Sequence, residues 1–104
     1  MISFVETKLF TRLVGQYLTD EEYSSLQREL VENPEVGSVI PGSGGVRKMR
    51  WGMAGRGKRG GLRIIYFLRI RQGQVWMLTL YPKNVADNIP AHVLRQNRKE
   101  VEDG

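Results

Sequence analysis

The chain has 104 residues, 40% of them hydrophobic and 26% charged, with a formal net charge of +5. A chain of this length is expected to form one domain, burying roughly two thirds of its unfolded surface around one modest core. Without cysteine it has no disulfide, thiolate metal site or cysteine nucleophile. A single histidine, His92, excludes a multi-histidine metal site and leaves a Ser-His-Asp triad only formally open.

No apolar run reaches the ~18 residues of a membrane span. The start, Met1-Ile2-Ser3-Phe4, lacks the charged-then-apolar layout of a signal peptide, so the expected compartment is the cytosol. The charge is strongly segregated. Residues 1–35 carry three basic and seven acidic side chains, and residues 87–104 carry three and four. Residues 36–86 hold ten Lys or Arg and no Asp or Glu. A drifting surface charge would mix its signs; a stretch like this is a field aimed at polyanions.

In chain order, residues 2–6 read as a short strand. Leu9, Phe10, Leu13, Val14 and Tyr17 then recur at helix spacing. Thr19 with Glu22 three residues on predicts a capping box, with Leu18 and Tyr23 at the staple positions. Tyr23, Leu26 and Leu30 line one face of this second helix, and Asn33-Pro34 ends it. The acids Asp20, Glu21 and Glu22 suit the positive end of the helix dipole, a structural role. From residue 36 the pattern changes to glycine-rich turns and period-two strands: 46–51, a glycine-rich loop over 52–61, a long strand 62–71, a tight turn at Gln72-Gly73, and a partner strand 74–81. A short last helix is expected to begin near Pro90. The class is therefore α+β, with an N-terminal strand and a helix pair packed on one face of a small, mainly antiparallel sheet.

Strand parity sorts the side chains, since successive residues face opposite sides of a sheet. Leu62, Ile64, Tyr66, Leu68 and Ile70 are expected to face the helices, with Met49, Trp51, Trp76, Leu78 and Leu80. Tyr66 and both tryptophans then read as core. The opposite, solvent-facing side receives Lys48, Arg50, Arg63 and Tyr81, with Lys83 just past the strand end, alongside Val75, Met77 and Thr79. Cations and a phenol from three strands thus converge on one surface.

The loop Gly52-Met53-Ala54-Gly55-Arg56-Gly57-Lys58-Arg59 nearly spells a phosphate-binding P-loop, but Arg59 stands where Ser or Thr must hold magnesium. A strand follows where a P-loop requires a helix. The loop reads as a cationic clamp on phosphate. A cation cluster without metal ligands has a chemistry open to it: attack of an RNA 2′-hydroxyl on the adjacent phosphorus, giving a 2′,3′-cyclic phosphate and a 5′-hydroxyl. The site must align the nucleotide, stabilise charge on the phosphoryl oxygens and move two protons. Arginine suits the second task because its forked guanidinium stays protonated. A lysine crowded by other cations gives up its proton more readily, which suits the third.

Three runs resemble the HigB branch of the RelE-type toxins: Gly44-Gly45-Val46-Arg47-Lys48-Met49-Arg50, then Gly57-Lys58-Arg59-Gly60-Gly61-Leu62-Arg63-Ile64-Ile65-Tyr66, then Leu78-Thr79-Leu80-Tyr81-Pro82-Lys83-Asn84. The likeness extends to the helix pair and Asn33-Pro34. It implies a single bacterial toxin domain over residues 1–104, cutting mRNA on the ribosome without a cofactor and neutralised by an antitoxin protein, often of helix-turn-helix type. By the resemblance, Lys48 and Arg50 are the basic strand residues, Arg63 the phosphate-binding arginine, Lys83 the cation after the last strand, and Tyr81 a member of the pocket. Arg47, Arg56, Lys58 and Arg59 would grip the RNA backbone of message or ribosome. The RelE branch carries a tyrosine in the C-terminal segment where this chain has Ile89 and Pro90, so the assignment of base and acid stays open. Two other readings stay open at this stage: a ParE-like poison of DNA gyrase, and a non-catalytic nucleic-acid-binding module.

Overall fold

The computed structural model describes residues 1–53 and 57–83, and of residues 53 and 57–60 the backbone alone. The elements are β1 (Ser3–Glu6), α1 (Lys8–Tyr17), α2 (Asp20–Glu32), β2 (Ser38–Val39), β3 (Arg47–Met53), β4 (Gly57–Arg69), a 3-10 turn (Ile70–Gln72) and β5 (Gln74–Pro82). The strands form one sheet in the order β1-β5-β4-β3-β2. β1 runs parallel to β5, and the remaining pairs are antiparallel. The expected α+β class holds, with both helices on one face of a mainly antiparallel sheet. The expected last helix near Pro90, and His92, lie outside the described residues.

Both helices are started by threonine. The Thr7 hydroxyl accepts from the Phe10 N–H at 3.1 Å and so caps α1. Thr19 and Glu22 form the predicted capping box, at 3.1 and 2.9 Å. α2 ends at Glu32, with Asn33 as its cap ahead of Pro34. Phe10, Leu18, Leu26 and Leu30 are buried against Met49, Leu62, Ile64, Tyr66, Val75, Met77 and Leu80 of the sheet. Each such side chain contributes about 1.5–3 kcal/mol when fully buried. At the rim of this core Glu6 accepts hydrogen bonds from Thr11 (2.6 Å) and Tyr23 (2.7 Å). Burial first, and the bond to Glu6 second, push the Tyr23 phenol above its ordinary value. The fold is therefore indifferent to this group below a pH of about 10 and loses stability as the pH rises beyond it.

The pairing of β4 with β5 corrects one expectation. Ile64 pairs with Leu80 and Ile65 with Thr79, but Tyr66 pairs with Met77, so Leu78 is an extra residue, a β-bulge. Beyond the bulge the parity of β5 reverses. Val75 and Met77, expected outward, join the helix-side core, while Trp76 and Leu78, expected inward, pack on the opposite face. The Leu78 carbonyl accepts from the Thr7 hydroxyl at 2.8 Å, and the neighbouring Met77 carbonyl accepts from the Thr7 N–H at 3.1 Å. One residue therefore caps α1 and holds the bulge.

Three boundaries also differ from expectation. β4 stops at Arg69; Ile70, expected in the core, sits in the 3-10 turn and is 77% exposed, and Arg71 follows it there. Gly73 closes that turn at φ +64, and a Cβ on it would meet the Met1 carbonyl oxygen at 2.8 Å. The expected glycine-rich loop is mostly strand, because β3 reaches Met53 and β4 begins at Gly57, opposite it. β2, two residues long, has too short a pattern to be read from alternation.

Tyr66 is core, as expected, yet its hydroxyl does more than fill space. It donates to the Pro34 carbonyl at 2.7 Å and accepts from the Gly37 N–H at 2.9 Å. The phenol thus ties the end of α2 and the approach to β2 onto the central strand. Gly37 has no room for a side chain: a Cβ would lie 2.9 Å from the Tyr66 hydroxyl and 3.0 Å from the Lys48 carbonyl.

Two stability measurements check this account. Tyr66→Phe leaves a buried N–H and a carbonyl unpaired and is expected to lower stability in urea by about 1–3 kcal/mol; an unchanged midpoint would contradict the tie. Thr7→Val keeps the shape but removes the cap and the bond to the bulge, with an expected loss of about 1–2 kcal/mol, read from the same unfolding curve.

Candidate functional site

Cross-strand pairing sets the site. Arg50 of β3 lies directly opposite Arg63 of β4, and Arg63 directly opposite Tyr81 of β5. The next row on that face is Ser38, Lys48, Ile65 and Thr79, from β2 to β5. Residues opposite one another in antiparallel strands bring their Cβ atoms to about 5 Å. Three of the expected cations are therefore gathered by backbone hydrogen bonding, against the mutual repulsion that would otherwise separate them.

A concavity of ≈ 580 Å³ lies over this corner of the sheet, lined among others by Val36, Ser38, Lys48, Arg50, Arg63 and Lys83. Lys83 completes it from the turn after β5. Arg50 and Lys83 are exposed, Lys48 is half-buried, and Arg63 is only 7% exposed. Arg63 thus forms the floor and the other cations the rim. Among the described residues no carboxylate lines the cavity. Among the described residues the Arg63 guanidinium makes no hydrogen bond and no ion pair. A buried charge without a partner is expensive, and an anion seated on it offsets that cost.

The face is not the open surface that parity alone implies. Val46, Ile65, Phe67, Leu78 and Tyr81 form a second apolar cluster on it, with Ile40 and Trp76 packed against them. Ile65 is fully buried, and Thr79 and Tyr81 nearly so. Tyr81 belongs to this cluster and is not among the residues lining the cavity. It sits beside Arg63 across the β4–β5 ladder, so its ring supports that side of the cavity floor. The apolar half of the face lowers the local dielectric around Arg63, which strengthens whatever the guanidinium binds.

The remaining basic candidates separate. Arg47 pairs with Tyr66 and so belongs to the opposite parity from Lys48 and Arg50. Its guanidinium donates to the carbonyls of Gly37 (2.7 Å) and Glu35 (3.3 Å), which is a structural role. Arg56 lies outside the described residues. Lys58 and Arg59 are placed by backbone alone, within the first residues of β4. Sequence reasoning missed Ser38 and Val36 as cavity residues. Their approach to Lys48 depends on the two-residue pairing of β2 with β3, which leaves no periodic signal.

No protein-family model matches the chain. Among solved structures, a double arginine-to-alanine mutant of the E. coli toxin RelE in the free state is similar to it, with a TM-score of 0.56 and 13% sequence identity. The alignment covers 93% of this chain and 96% of that one. At that identity the likeness speaks to architecture, and it runs from end to end of both chains. The chain has the RelE toxin fold.

Proposed function

We propose that this protein is the toxin of a toxin–antitoxin pair, of the HigB branch of RelE-type toxins, and that it is a ribosome-dependent mRNA endoribonuclease acting without a metal. The observation that carries the reading is Arg63: a nearly buried guanidinium, without a partner among the described residues, at the floor of a cavity rimmed by Lys48, Arg50 and Lys83. The RelE-like fold supports it, and so does the run Gly57-Lys58-Arg59-Gly60-Gly61 ahead of Arg63. The metal-independent chemistry rests on composition, because residues 36–86 contain no Asp, Glu, His or Cys to ligate an ion.

In the proposed reaction Arg63 holds the non-bridging oxygens of the scissile phosphate with its forked donors. The 2′-hydroxyl of the preceding nucleotide attacks phosphorus in line, and the bond to the 5′-oxygen breaks. The products are a 2′,3′-cyclic phosphate and a 5′-hydroxyl. The proton leaving the 2′-oxygen and the one reaching the 5′-oxygen pass through the lysines of the site, Lys48 and Lys83. Arg50 adds charge as the phosphoryl oxygens become more negative. Tyr81 packs beside Arg63 and keeps the floor dry. Arg56, Lys58 and Arg59 are assigned to the RNA backbone of message or ribosome, where their charge favours binding of any polyanion. The protein would work in the cytoplasm, neutralised there by an antitoxin of helix-turn-helix type.

Arg63→Ala is the direct test. Induced in cells, the parent is expected to arrest protein synthesis, and the variant to lose on the order of 10²–10³ in cleavage rate and permit growth. Arg63→Lys keeps the charge but not the fork, and is expected to fall between the two. Full toxicity of Arg63→Ala would sink the nuclease reading and favour a gyrase poison on the same fold.

A further inference from the structure

Among the described residues the cavity contains one uncharged hydrogen-bonding side chain, Ser38, and its position is held from two sides. β2 has two residues, both exposed, and pairs with β3 only at Lys48 and Arg47. A strand that short has little stability of its own. What fixes it is the residue before it. The Gly37 N–H donates to the Tyr66 hydroxyl at 2.9 Å, and the Gly37 carbonyl accepts from Arg47 at 2.7 Å. Both polar groups of Gly37 are thus taken by side chains from β4 and β3, and Gly37 is buried with no space for a Cβ. Ser38 comes next, opposite Lys48, and lines the cavity. Among the described residues its hydroxyl makes no hydrogen bond.

The rows of the sheet face give this hydroxyl a specific neighbour in a bound nucleic acid. Arg63 and Arg50 stand in one row; Ser38 and Lys48 stand in the next row on the same face. Successive residues on one face are about 7 Å apart along a strand. Ser38 also stands two strands across from Arg63, roughly 10 Å, so with a phosphate on Arg63 the group of the bound strand that comes within its reach is a sugar one or two nucleotides along. The surrounding cations hold phosphate and are indifferent to the sugar, so DNA and RNA satisfy them equally. A hydroxyl that both donates and accepts is the complement of a ribose 2′-hydroxyl, the group that distinguishes the two polymers.

We propose that Ser38 is a specificity-determining residue that hydrogen-bonds a ribose 2′-hydroxyl of the bound strand, held in register by the Gly37 clamp. This rests on the RNA-cleaving reading of the same cavity.

The test uses the full chain without ribosomes, titrated with a fluorescent 12-nucleotide RNA and with the DNA of the same sequence, at one salt concentration. A gel confirms that the RNA is intact afterwards. The parent is expected to prefer RNA. Ser38→Ala is expected to lower RNA affinity roughly three- to tenfold, the worth of one hydrogen bond, and to leave DNA affinity unchanged. Ser38→Thr, which keeps the hydroxyl, is expected to retain the preference. Because Ser38 is exposed, the variants should unfold at the parent's temperature, and a melting curve checks this. The inference is overturned if Ser38→Ala weakens RNA and DNA equally, changes neither, or alters only the preference among bases. A parent that arrests growth and cuts mRNA while Ser38→Ala keeps its RNA preference removes this inference alone. A parent that neither binds RNA nor cuts message removes the nuclease reading with it.

Discussion

The pleat of β4 is the constraint on which the rest of the molecule depends. Leu62, Arg63 and Ile64 are consecutive, and the geometry of a strand sends the first and third to one face and the second to the other. Leu62 and Ile64 are fully buried under the helices. Their packing fixes the backbone on either side of Arg63, so the guanidinium is aimed by the hydrophobic core. Pairing on both edges then brings Arg50 and Tyr81 alongside it. The site is the second face of a strand whose first face holds the fold together.

A cluster of cations costs free energy to assemble, and here that cost falls on elements that are over-determined elsewhere. The helix-side core fixes the sheet, the bulge at Leu78 is held by Thr7, and the rim around Ser38 is held by Tyr66 and Arg47. An anion in the cavity relieves the repulsion among Lys48, Arg50, Arg63 and Lys83 and the desolvation of Arg63 together. In a preorganised site these donors need not move when negative charge builds up on a phosphoryl group, which is the condition for stabilising it in a transition state. The apolar cluster of Ile65, Leu78 and Tyr81 next to Arg63 serves the same end by keeping water away from one side.

The sequence made the site's cations legible because each lies where alternation is clean. Lys48 and Arg50 flank the core residue Met49, and Arg63 lies between Leu62 and Ile64; the register then does the rest. The helix pair was legible for a similar reason, since Thr19 and Glu22 act locally and Asn33-Pro34 is a local stop. β5 was not. From Val75 to Leu80 all residues but Thr79 are apolar, so alternation carries no phase, and the bulge at Leu78 reversed half the strand. Met77 and Leu78, adjacent and both apolar, were the available trace of it. Tyr81 kept its predicted face because it lies beyond the bulge, yet the apolar cluster took it away from the cavity. Arg47 looked like one more cation in a basic run; only the fold of residues 35–37 over it shows that its guanidinium bonds the Gly37 and Glu35 carbonyls. Ser38 was invisible because two residues of pairing leave no period.

The central claim is that the Arg63 cavity cuts RNA, and the most direct measurement is genome-wide mapping of mRNA 5′ ends after induction of the parent and of Arg63→Ala. The account predicts new 5′-hydroxyl ends within codons under translation for the parent, and their absence for the variant. Growth arrest by the parent without new mRNA ends, or the same ends from both proteins, would contradict it.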